Sequence, residues 1–181
     1  MCKVKSTWTR LEMILGNYII VVKPFSITIK KNKSMADLTT SITESVTING
    51  SVRGSTNSQT ITGVVDVYER NVTVPTSEVT LYSTHSTTVA GATLDKDLIK
   101  YVRITNLDTT NFIMLRISND ANDEFLYKLG LGESFILHNH SGSMNGTENA
   151  VASTGGLEKI TDVTAQSDTA ACSVEVFVAS A

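Results

Sequence analysis

Cysteine is nearly absent from this 181-residue chain: Cys2 and Cys172 stand at opposite ends, which excludes a disulfide framework. Proline is as scarce, with Pro24 and Pro75 alone. Long apolar runs are lacking too. The best, Tyr18 to Val22 with Met13 to Leu15 before it, falls short of the about 20 residues that a membrane-crossing helix needs. Glu12, Asn17 and Lys23-Pro24-Phe25 also break the pattern of a secretory signal. After Met35 no window carries an apolar stripe at helical spacing. Basic residues are sparse where most of the chain lies. Residues 1–34 hold seven Lys+Arg and one Glu, which leaves eight basic and 17 acidic residues for 35–181. Tracking a phosphate backbone requires a basic patch, so neither nucleic acid nor a membrane is an expected partner.

What remains is the texture of an all-β protein. Short Thr, Val and Ile runs are broken by Gly, Asn, Asp and Ser from Met35 onward. The clearest stretch runs from Ile99 to His140 and is expected to form an antiparallel sheet. Val102 and Ile104 alternate with Tyr101, Arg103 and Thr105, the period-two pattern of a half-buried strand. Ile113, Leu115 and Ile117 alternate in the same way with Met114, Arg116 and Ser118. The connection between these runs is rich in Asn, Asp and Thr, and predicts that the two strands are hairpin partners. Phe125, Tyr127 and Leu129 line up on a third strand; Gly130-Leu131-Gly132 turns the chain, and Phe135 and Leu137 lie on a fourth.

Elsewhere, Ile42, Glu44, Val46 and Ile48 alternate before a turn at Asn49-Gly50-Ser51. Ile61, Gly63, Val65 and Val67 read as one strand, and Val79 with Leu81 as another. Residues 84–97 read as a connection with a short strand at most, and 141–158 as a long exposed loop. The close is Ile160 to Ala165 and Ala171 to Ser180, where Val174, Val176 and Val178 alternate with Ser173, Glu175 and Phe177. Cys172 shares the valine face and reads as a small buried hydrophobe. Roughly eight to ten strands at such spacing suit an antiparallel two-sheet sandwich, jelly-roll-like, with an immunoglobulin-like sandwich as the second choice. The 35–181 body is one β-sandwich domain.

Residues 1–34 differ from that body in charge and texture. The favoured account is a mis-assigned start, with translation beginning at Met35-Ala36-Asp37; the alternative is a flexible basic arm that docks on an acidic partner. A segment without folding constraint would bury little of Leu15, Ile19, Ile20 and Val21 against the body.

Chemistry-bearing constellations are few. Gly132-x5-His138-Asn139-His140 resembles the first half of the cupin motif, and two imidazoles at i and i+2 on a strand could reach one ion. The acidic residue that completes that motif is missing, since Met144 and Asn145 stand where a Glu belongs and the nearest is Glu148. His138 and His140 therefore read as a polar pair at a sheet edge, with no metal and no cofactor expected. Asp120, Asp123 and Glu124 lack the Gly and the bidentate Glu of a calcium loop and read as a solvated turn. No serine sits in a nucleophile elbow and no Gly-rich loop cradles phosphate, so no enzyme is expected.

The segment YVRITNLDTTNFIMLRIS followed by FLYKLGLGESFILHN resembles a pattern of small virion proteins of tailed phages, especially those of aquatic bacteria, and covers about a quarter of the chain. The resemblance implies a capsid decoration or cement protein: a non-enzymatic virion protein on the capsid surface, homo-oligomeric, contacting the major capsid protein or other virion proteins. It also implies structural roles for Asn106, Asp108 and Asn111 as hairpin turn formers, and for Gly132 with Phe135 as turn and core anchor. Two other functions stand beside it. A carbohydrate- or receptor-binding module of a tail fibre would use exposed tyrosines as stacking platforms, with Tyr68, Tyr82, Tyr101 and Tyr127 available in the body and Tyr82 the one to test, and a cupin-like protein would bind metal through His138 and His140.

Overall fold

The computed structural model describes residues 35–84, 94–138 and 159–181 in full, and the backbone alone at 3–7, 10–15, 18–23, 26–31, 85, 143–144 and 158. The strands in chain order begin with β1 (Lys3–Thr7), β2 (Arg10–Leu15), β3 (Tyr18–Lys23) and β4 (Ser26–Lys31). These four pair with one another as an antiparallel meander. Whether Leu15, Ile19, Ile20 and Val21 are buried lies outside the described residues.

A long ribbon follows, built from β5 (Ala36–Thr43), β6 (Val46–Ile48), β7 (Ser51–Arg53) and β8 (Thr56–Val64). β5 pairs with β8 and β6 with β7. The tip turns through Asn49 and Gly50, at φ of 50° and 78°, the two positive values that a type I′ hairpin turn demands. The expected single strand from Ile42 to Ile48 is interrupted at Glu44 and Ser45, where Glu44 N–H bonds Ser55 C=O at 2.9 Å. Gly54 sits opposite at φ 135°, and a Cβ there would lie 2.0 Å from the Glu44 carbonyl oxygen.

The body holds β9 (Asp66–Val74), β10 (Val79–His85), β11 (Leu94–Asp95), β12 (Ile99–Asn106), β13 (Ile113–Asn119), β14 (Glu124–Leu129), β15 (Ser134–Leu137), β16 (Ser143–Met144), β17 (Glu158–Ser167) and β18 (Cys172–Ser180). One sheet runs β11-β10-β17-β13-β14 and the other β15-β12-β18-β9, with β16 on the end of β17. Among the main strands, β9 pairs with β18, β10 with β17, β12 with β15 and β13 with β14, all antiparallel. First pairs with last, second with second-last, and so inward. This nesting is the jelly roll, in a two-sheet antiparallel sandwich.

The nesting corrects two expectations. β12 and β13 are not hairpin partners, and Ile99–His140 does not form one sheet: β12 and β15 belong to one sheet, β13 and β14 to the other. Residues 107–112 arch across the sandwich, so that Val102 and Ile104 meet Ile113, Leu115 and Ile117 across the core instead of beside them. Asn106, Asp108 and Asn111 do form the connection, as an arch. Asp108 Oδ1 accepts from the N–H groups of Thr110 and Asn111, both at 2.7 Å, and Asn106 Oδ1 accepts from Asp108 N–H at 3.0 Å. The run read as one strand from Ile61 to Val67 is also divided. The ribbon ends at Val64, and a new strand, β9, continues to Val74.

The core is made of the inward positions of both sheets. Val174, Val176 and Val178 of β18 face Leu81, Leu115, Leu129 and Val163, all fully buried. Cys172 joins them as a free, buried thiol. Each such side chain contributes about 1.5–3 kcal/mol by leaving water. At Leu81 the ladder between β10 and β17 slips by one residue, so that Leu81 and Tyr82 are both buried, and Arg70 Nη2 donates to the Leu81 carbonyl at 3.1 Å. The acidic loop is a closed turn: Asn119 Oδ1 accepts from Ala121 and Asp123 N–H, both at 2.9 Å, with Asn122 at φ 64°.

Candidate functional site

The outward face of β12 is not bare. Strand alternation sends Tyr101, Arg103 and Thr105 away from the core, and pairing sets Ile136 and Phe177 on either side of Arg103. The root of the ribbon lies over this face. Ile61, Val64, Tyr101 and Ala179 form a second apolar cluster there, flanked by Leu38, Ile136 and Phe177. Tyr101 is thereby buried on the face that period-two reading left to solvent.

Between β5 and this face lies a cleft of about 340 Å³, with Thr40 on its roof and Tyr101, Arg103, Phe177 and His138 on its floor. Arg103 is committed within the floor: Nη1 meets Glu175 Oε2 at 2.6 Å and Thr105 Oγ1 at 2.8 Å, and the guanidinium lies 5.9 Å from the Phe177 ring centroid. His138 stands edge-on to Tyr101, their centroids 5.5 Å apart. With Nδ1–H donating to Gln59 Oε1 at 2.9 Å, Nε2 is the lone-pair nitrogen. Among the described residues, His138 Nε2 and Thr40 Oγ1 are buried without a hydrogen-bond partner. Burial raises the Tyr101 pKa above its ordinary value, against the opposing pull of Arg103.

This cleft offers one imidazole acceptor and one hydroxyl to a small ligand. Among the described residues its lining includes no carboxylate. His140 lies outside the described residues, as do Asn139, Asn145 and Glu148, and the proposed histidine pair with them. Among the described residues no cluster of three or more His, Cys, Asp or Glu is placed to hold a metal.

The aromatic candidates are redistributed. Tyr82, read as a sugar platform, is 6% exposed, because the slip at Leu81 turns it inward; Tyr101 is equally covered. Of the four tyrosines, Tyr127 keeps an open ring, on β14 beside Phe125. Phe125 is 49% and Tyr127 37% exposed, with Tyr127 5.3 Å from Phe135 of β15 and 6.3 Å from Phe125. Gly132 at φ 67° and Phe135, packed against the core, hold the turn and anchor positions implied for them. Neither Thr40 nor Gln59 was legible as a site residue, since only the ribbon's fold-back brings them to His138. Leu126 could have been found: it is an out-of-phase apolar residue between Phe125 and Tyr127.

No family model matches the chain, and no curated protein and no solved structure matches it.

Proposed function

We propose that the protein is a non-enzymatic structural component of a phage virion, a homo-oligomer that sits on the capsid surface and reinforces it by contact with the major capsid protein or another virion protein. The observation that carries this is the ribbon. Its tip exposes Val46, Ile48 and Val52, the last at 73%. A two-stranded hairpin is marginal by itself in water, so an apolar tip of this kind is suited to lie on a neighbouring surface. Support also comes from the segment whose pattern resembles capsid decoration proteins, which supplies strands to both sheets. Jelly rolls recur in capsid proteins and in lectins, and that breadth leaves the surface to decide.

Mass spectrometry of purified particles encoded with this gene tests the proposal. The chain is expected in particles, and is expected to be lost from them when residues 46–53 are replaced by a short Gly-Ser turn. Absence of the intact chain from particles overturns it.

A further inference from the structure

Strand β14 ends its sheet and carries apolar side chains on both faces. Leu126 points outward at 61% exposure, while Phe125 and Tyr127 share the inner face. Among the described residues no strand lies beyond it. Exposed edges are usually blunted by Lys, Pro or a bulge. The one lysine of β14, Lys128, is instead folded back over the Phe112 ring, 3.9 Å from its centroid.

The open main-chain groups can be identified. Antiparallel ladders alternate hydrogen-bonded and non-bonded pairs. Asn119 N–H bonds Asp123 C=O, and Asp168 N–H bonds Phe112 C=O, both at 3.3 Å. These bonds fix the alternation at both ends of β13, and they agree. Phe125, Tyr127 and Leu129 turn their main-chain groups to β13, so Glu124, Leu126 and Lys128 turn theirs to the free edge.

Two copies can join such edges about a two-fold axis normal to the sheet, an arrangement that keeps inner face with inner face. Centred on Leu126, the register sets Glu124 opposite Lys128 of the second copy, Phe125 opposite Tyr127, and Leu126 opposite itself. Sliding the centre to Phe125 sets Glu124 against leucine, and sliding it to Tyr127 does the same to Lys128. Glu124 Oε1 already accepts from Arg116 Nη1 of its own chain at 2.8 Å, and this register alone adds Lys128 of the second copy beside that pair while setting ring opposite ring.

We infer that β14 is a homodimer interface, at which a second copy of this chain continues the β11-β10-β17-β13-β14 sheet with Leu126 on the axis. Each outward-turned residue exchanges main-chain hydrogen bonds with its counterpart. The two Phe125–Tyr127 pairs cover the rings that the single chain leaves open. This names the interface of the homo-oligomer in the virion proposal and rests on that part of it alone, not on the chain's place in a particle.

Sedimentation of the full chain across a concentration series tests the inference, with circular dichroism as the check on folding. The unaltered chain is expected to be a dimer. Lys128→Glu alone sets like charges opposite each other twice and should weaken the dimer about tenfold or more, and Glu124→Lys alone does the same while also losing its own chain's Arg116. The double reversal restores opposite charges in this register and should recover most of the affinity. Leu126→Lys places two ammonium groups on the axis and should leave a folded monomer. A monomeric unaltered chain, a dimer indifferent to the single reversals, or a double reversal without recovery overturns the inference. None of these outcomes bears on whether the chain is found in particles.

Discussion

The side-chain amide of Asn106 donates to the main-chain carbonyl of Gly130 at 3.0 Å, so one buried group ties the arch leaving β12 to the turn entering β15. The same amide reaches the Asn111 carbonyl at 2.9 Å, and Asn106 N–H bonds Glu133 C=O at 3.0 Å. Opposite sheets are thereby linked at the end of the sandwich where hydrophobic packing alone would leave polar main chain unpaired.

Asn106→Ala removes both donors and the acceptor for Asp108 N–H. The carbonyls of Asn111 and Gly130 then lose this partner at a fully buried position. A loss of about 2–4 kcal/mol is expected from urea unfolding. Asn106→Asp should cost more at neutral pH, since it aims a carboxylate at two carbonyls. Equal stability of Asp and Asn variants would show that these bonds do not hold the arch.

Gly54→Ala should damage the ribbon selectively. The added methyl would meet the Glu44 carbonyl oxygen at 2.0 Å, with φ at 135°, where an L side chain is strained. Proteolysis within residues 44–55 should accelerate, while amides of β13 and β17 stay as protected from exchange as before. Matched loss of protection in both places would mean that ribbon and sandwich unfold together.

Acid should loosen the fold through carboxyls held below their ordinary range. The Thr164 hydroxyl first and the Arg116 guanidinium second lower Glu78, and the N–H groups of Asn111 and Thr110 lower Asp108. A depressed folded pKa means stability that is present above the unfolded value and lost as pH falls through the folded one. From these two groups stability should be level at neutral pH and begin to fall near their ordinary values, 4.5 for Glu78 and 3.8 for Asp108. Urea midpoints against pH measure this. Thr164→Val should shallow the acid limb; an unchanged slope would remove Glu78 from the account.

Cys172 should be silent to thiol reagents in the native state. Its side chain is 1% exposed among core valines, with Ser167 Oγ 3.2 Å from the sulfur. In a Cys2→Ser background, labelling should proceed at the rate of global unfolding and speed up in step with denaturant. Fast labelling without denaturant would mean that the β17–β18 end opens locally.

Much of this fold was legible because alternation is a local property. Val174, Val176 and Val178 could only be one face of a strand, and Asn49-Gly50 and Gly132 could only be turns, whatever surrounded them. Period two names the faces of a strand but not its neighbours. The same Asn-Asp connection serves a hairpin or an arch, and the competition between them was settled by which pairing lets β12 and β13 bury their apolar faces against each other. Tyr101 and Tyr82 show the same limit: one is covered by a ribbon from about 40 residues earlier in the chain, the other is turned inward by a one-residue slip at Leu81. The exposure of Phe125, Leu126 and Tyr127 likewise follows from β14 standing last in its sheet. Composition and spacing decided that the chain would be strands and turns. Strand order, and with it every surface available for function, was decided by long-range burial, which no stretch of sequence encodes alone.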